Sequence, residues 1–100
     1  MPYRDEDKAK LKRKRTKEAI MLAMQSRWEE AVVANRSIIE VFPTDVDAYN
    51  RLGKALTELG KYGEARKAYE EALTIAPCNA IARKNLERLA HIKEAKPTPK

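Results

Sequence analysis

A single cysteine, a single histidine and three glycines among 100 residues remove several kinds of chemistry at once. Cys78 has no second thiol to join, so an intrachain disulfide and a multi-cysteine metal site are both excluded, and a reducing, cytoplasmic setting is the expectation. His91 has no cysteine or carboxylate cluster at ligand spacing, and its place late in a charged stretch makes it a surface residue rather than a base or metal ligand. Ser26 and Ser37 lack a His/Asp arrangement, and Gly53, Gly60 and Gly63 form no phosphate-cradling loop. Neither catalysis nor a cofactor is expected. Long apolar runs are missing too. The stretch Ala19 to Met24 is six residues long and ends at Gln25, too short for a signal-peptide core or a membrane span.

With only three glycines and five prolines, the chain has little with which to build strand turns, whereas Ala, Leu, Lys, Glu and Arg, all strong helix formers, are plentiful. Hydrophobic residues at 43% beside charged residues at 36% suit a soluble all-α chain. The net charge of +6 is uneven. Residues 1–18 hold eight Lys/Arg against four Asp/Glu, and residues 78–100 hold six against two, so the excess lies at the two ends.

An internal period organises the chain. A shift of 34 residues places Leu22 on Leu56, Trp28 on Tyr62, Ala31 on Ala65, Ala34 on Ala68 and Pro43 on Pro77; a further shift places Ala48 on Ala82 and Leu52 on Leu86. Each period holds two helices. Ala48, Tyr49, Leu52, Ala55, Leu56 and Leu59 share one helical face over residues 45–59, with Thr44 or Asp45 to cap the start and Gly60 to end the helix in the left-handed conformation. A second helix runs from Tyr62 to Ile75 and is stopped by Pro77. The short connection makes the two antiparallel. Ala65, Ala68 and Ala72 on the second helix allow its axis to approach the first near the lower end of the usual ~8–10 Å, while Tyr62, Tyr69 and Leu73 fill the flanks.

Tyr49, Leu52, Gly53, Leu56, Ala65, Tyr69, Ala72 and Pro77, in a 34-residue frame, resemble the signature of the tetratricopeptide repeat family. Residues 46–79 carry the well-matched repeat. Residues 12–45 match at Trp28, Ala31 and Pro43 but hold Arg15 and Glu18 where bulky and Leu residues stand, and Asn35 and Ile38 in place of an aromatic and an Ala; solvated first turns are expected there. Residues 80–94 resemble a terminal first helix, with Ala82, Leu86, Leu89 and Ala90 facing inward and Arg83 and Glu87 in water. The resemblance implies an α-solenoid of five helices, preceded by a basic extension over residues 1–11 that continues toward the first helix, and followed by a Pro/Lys tail or linker over residues 95–100.

The resemblance further implies that the first helix of each pair lines a concave, ligand-binding face. Mapped here, that face carries Thr16, Lys17 and Ile20; Asp47, Asn50, Arg51, Lys54 and Glu58; and Lys84, Asn85, Arg88 and His91. Lys17, Ile20, Asn50, Arg51, Lys54, Lys84, Asn85 and Arg88 are the candidate groove residues, with Asn50 and Asn85 suited to a peptide backbone and Arg51, Lys54 and Arg88 to carboxylates. The expected partner is a protein or peptide of acidic character, with no membrane involved. Two alternatives stand beside it. Nucleic acid could be held by Lys8, Lys10, Lys12, Arg13, Lys14, Arg15 and Lys17, although base-stacking aromatics are not interleaved with them. Homo-oligomerisation could proceed through repeat ends, with Met21 and the Ile38-Ile39 pair as contacts.

Overall fold

The computed structural model describes residues 4–95. These form five helices: α1 (Asp5–Met24), α2 (Trp28–Val41), α3 (Val46–Glu58), α4 (Tyr62–Ile75) and α5 (Ala80–Ala95). Each packs against its neighbours in sequence, so the chain is built from successive antiparallel pairs. The helix of the basic N-terminal segment begins at Asp5, seven residues before the repeat frame opens at Lys12. Asp5, Glu6 and Asp7 occupy its first turn, where negative charge complements the exposed N–H groups of the helix end. Of the tail expected over residues 95–100, Ala95 instead ends α5, and residues 96–100 lie outside the described residues.

Turn geometry repeats with the sequence. At the end of α1 the Arg27 N–H donates to the Leu22 carbonyl at 2.9 Å and the Ser26 N–H to Ala23 at 2.9 Å. At the end of α3 the Lys61 N–H donates to Leu56 and the Gly60 N–H to Thr57, both at 2.9 Å. Both closures need one left-handed residue. Gly60 supplies it at φ 79°, and Ser26, at φ 58°, adopts the same conformation despite its side chain. Asp45 and Asn79 form the second matched pair. Asp45 accepts the Ala48 N–H at 3.2 Å and Asn79 accepts the Ala82 N–H at 2.9 Å, capping α3 and α5.

The alanines do close the helices together: Ala65 and Ala72 are fully buried, and Ala68 nearly so. Between α3 and α4 the fit depends on a missing side chain. A Cβ on Gly53 would lie 2.6 Å from ring atoms of Tyr69, which is itself 1% exposed. Residue 53 therefore has to be glycine for Tyr69 to fill the interface. The first pair solves the same problem in reverse: Ala19 stands at the glycine position and Asn35 at the tyrosine position, both buried. A smaller partner side chain leaves room for the methyl group.

One inward assignment changes. Ala90 is exposed, whereas Ala82 and Leu89 of the same helix are buried in the core. Trp28, Tyr49 and Tyr62 are half-buried, leaving Tyr69 as the aromatic side chain enclosed by the core. Ile38 is fully buried against Ala19 and Ala48 and so is not free for self-association, whereas Met21 is half exposed.

Candidate functional site

Because α1, α3 and α5 are the first helices of consecutive pairs, they come to line one face. A cleft of about 340 Å³ there is lined by Ala23 of α1, Asp47, Asn50, Arg51 and Lys54 of α3, Tyr69 of α4, and Ile81 and Asn85 of α5. Four candidate groove residues, Asn50, Arg51, Lys54 and Asn85, are thus gathered in one place. Lys17 and Ile20 line a neighbouring depression on α1 with Ala9, Lys12, Arg13 and Thr16. Lys84 and Arg88 are exposed on α5 and line neither hollow. Ala9, Lys12, Arg13, Ala23, Tyr69 and Ile81 are additions to the expected set. Arg13, Asp47 and Ile81 are separated by 34 residues each, so they hold equivalent positions of the repeat frame.

The polar groups in the cleft differ from free surface groups. Asn50 is 7% exposed and donates from Nδ2 to Asn79 Oδ1 at 3.1 Å. Arg51 is half-buried and donates from Nε to Asn35 Oδ1 at 3.0 Å, and Asn35 donates in turn to the Ala31 carbonyl at 2.9 Å. The missing aromatic at position 35 therefore has a counterpart: a buried carboxamide that anchors an arginine from the next helix. Asn85 Nδ2 donates to the Ile81 carbonyl at 2.8 Å. Lys54 pairs with Glu58 at 3.0 Å and stands 6.0 Å from the Trp28 ring centroid.

The basic run on α1 is not uniform. Arg15 donates to the Ser37 carbonyl at 2.9 Å, tying α1 to α2, and Lys12 lies over the Phe42 ring and 3.8 Å from Asp45. Lys17, Lys84 and Arg88 form no ion pair among the described residues. Burial pushes the Tyr69 hydroxyl up to about 12, against smaller opposing effects of the Thr57 hydroxyl and the Arg88 cation. Tyr49 is raised by burial and by Glu71.

Other residue types with chemical potential are dispersed. His91 and Cys78 are exposed, and among the described residues no three His, Cys, Asp or Glu side chains gather as a metal site. No described helix is long and apolar enough to cross a membrane. Compared with models of known protein families, residues 46–77 match the tetratricopeptide repeat. No curated protein matches the chain significantly.

Proposed function

We propose, from the tetratricopeptide repeat that residues 46–77 match and the all-α helices around it, that the chain is a non-catalytic scaffold that binds an acidic polypeptide on the face of α1, α3 and α5. Repeats of this family in general mediate protein–protein interaction and are not themselves catalytic. The observation that carries the proposal is the lining of one cleft by all three first helices, two of which also carry exposed cations, Lys17 on α1 and Lys84 and Arg88 on α5. Lys17 on one side and Lys84 and Arg88 on the other are unpaired among the described residues, so an acidic segment lying across α3 meets positive charge at both ends. Lys54 is partly neutralised by Glu58, and Arg51 is anchored by Asn35; both contribute less to long-range attraction than their formal charges suggest.

The experiment compares proteins retained by the intact chain, after nuclease treatment, with those retained by a Lys17→Glu/Lys84→Glu/Arg88→Glu variant. All three side chains are exposed, so the variant keeps its helical circular dichroism. At roughly 1 kcal/mol for each reversed contact, affinity for the partner falls tenfold or more. Equal retention by the variant would remove the electrostatic part of the proposal. Retention that disappears with nuclease would assign the basic α1 face to nucleic acid instead.

A further inference from the structure

The exposed side of α1 has counterparts inside the molecule. Lys14 stands one and two periods before Ala48 and Ala82, and Met21 one and two periods before Ala55 and Leu89. In α3 and α5 these positions are packed against the preceding helix. Ala48 is fully buried in a cluster with Ile38 of α2, and Ala82 and Leu89 are buried in a cluster with Tyr69 and Ala72 of α4. Among the described residues no helix precedes α1; there Lys14 is exposed, Met21 is 50% exposed and Met24 79%. The cations around Lys14 are not equivalent. Arg15 is bound to the Ser37 carbonyl and Lys12 is paired with Asp45, whereas Lys10, Arg13, Lys14 and Lys17 line one depression of about 480 Å³ and have no carboxylate partner among the described residues. Steps of three and four residues carry this row on to Met21 and Met24, so one helical face is cationic first and apolar after.

We infer that this face of α1 docks an acidic amphipathic helix of a partner protein, seated at the end of the stack where a preceding helix would lie. The site goes beyond the cleft of α1, α3 and α5, with which it shares only Lys17, and does not rest on it. The repeat supplies the seat, since α3 and α5 each receive a helix at the equivalent positions. Consecutive helices are antiparallel, so the docked helix runs against α1. Its early apolar side chains cover Met21 and Met24, and its later carboxylates, at spacings of three and four, face Lys10, Lys14 and Lys17. Nucleic acid suits the cations but not the methionines. A phosphate backbone gains nothing by covering Met21 and Met24, and no aromatic side chain is interleaved with the basic run. A second copy of the chain suits the cations less. From Lys10 to Met24 the row contains no carboxylate, so another α1 brings it no counter-charge, and the far end of the stack exposes Arg83, Lys84 and Arg88 on α5.

The test uses two labelled synthetic peptides of about 18 residues, long enough for five helical turns, with identical composition. In one, leucines fill the first half of a single helical face and glutamates the second half, with alanine and glutamine elsewhere; in the other the same residues are scrambled. Fluorescence anisotropy is followed as the full chain is added. The segregated peptide binds saturably and about tenfold more tightly than the scrambled one. Lys10→Glu/Lys14→Glu weakens it by about tenfold or more, and Met21→Gln/Met24→Gln weakens it severalfold, both with unchanged helical circular dichroism because the positions are exposed. Lys84→Glu/Arg88→Glu leaves it unaltered. Equal binding of the two peptides, or no saturable binding of the segregated one, would overturn the inference. So would a loss confined to Lys84→Glu/Arg88→Glu, which would put the peptide in the cleft. Displacement by a duplex oligonucleotide at lower concentration than by unlabelled peptide would give the face to nucleic acid, and a sedimenting dimer of the chain alone that Met21→Gln/Met24→Gln dissolves would give it to a second copy; either would overturn the assignment.

Discussion

One methyl group added at Gly53 separates two opposing effects whose sizes are known. In the interior of α3, Gly→Ala alone stabilises by about 1 kcal/mol, because alanine has less backbone freedom to lose. The added Cβ, however, would sit 2.6 Å from Tyr69 Cε2 and Cζ and 2.8 Å from Cε1. Normal carbon contacts are about 3.5–4.0 Å, so the ring has to retreat by roughly 1 Å. It is 1% exposed, packed in the main core cluster, and its hydroxyl meets that of Thr57, so no open side is available. Overpacking of this kind costs about 1–3 kcal/mol, and a rigid enclosed ring belongs at the upper end. Gly53→Ala therefore destabilises by about 2 kcal/mol net, lowering Tm by about 8–16 °C in a domain of this size. Urea unfolding followed by circular dichroism and by Trp28 fluorescence measures it. With Tyr69→Leu the ring is gone, and the same Gly53→Ala change becomes stabilising by up to about 1 kcal/mol, a coupling of about 3 kcal/mol. A Gly53→Ala protein as stable as the parent, or an equal cost in both backgrounds, would refute the packing account.

The left-handed turn residues give a paired expectation: Gly60→Ala loses about 1 kcal/mol with nothing within 4 Å to clash, while Ser26→Gly gains about 0.5–1 kcal/mol, both read from thermal unfolding. A Ser26→Gly protein that unfolds earlier would show that the serine side chain contributes more than its backbone conformation costs. Tyr69 sets an alkaline limit, since its hydroxyl titrates near 10 when unfolded and at about 12 when folded. The folded state holds that proton more tightly, so its stabilisation is complete below pH 10 and is lost as pH rises from 10 to 12, by about 2–3 kcal/mol. Tyr69→Phe removes that part of the pH dependence, and chemical denaturation at pH 9 and pH 11.5 distinguishes the two proteins.

Helix periodicity and the cap residues are short-range properties, which is why the all-α class, a cap at Thr44 or Asp45 and the left-handed Gly60 could be read from the amino-acid string, while the structure decided for Asp45. The family resemblance implied that α1, α3 and α5 supply one face, and four of the residues it mapped there, Asn50, Arg51, Lys54 and Asn85, line one cleft. It did not indicate what those side chains already bind. Asn35 looked like a defect because its value depends on Arg51, sixteen residues away on another helix, and Asn50 looked free because Asn79 reaches it from 29 residues away. A linear pattern records which face a residue occupies, since that is set by its own helix. Which donors and acceptors remain unmatched on that face is set by helices meeting from distant parts of the chain, and only their packing together left Asn50 Oδ1 and Arg51 Nη2 without partners.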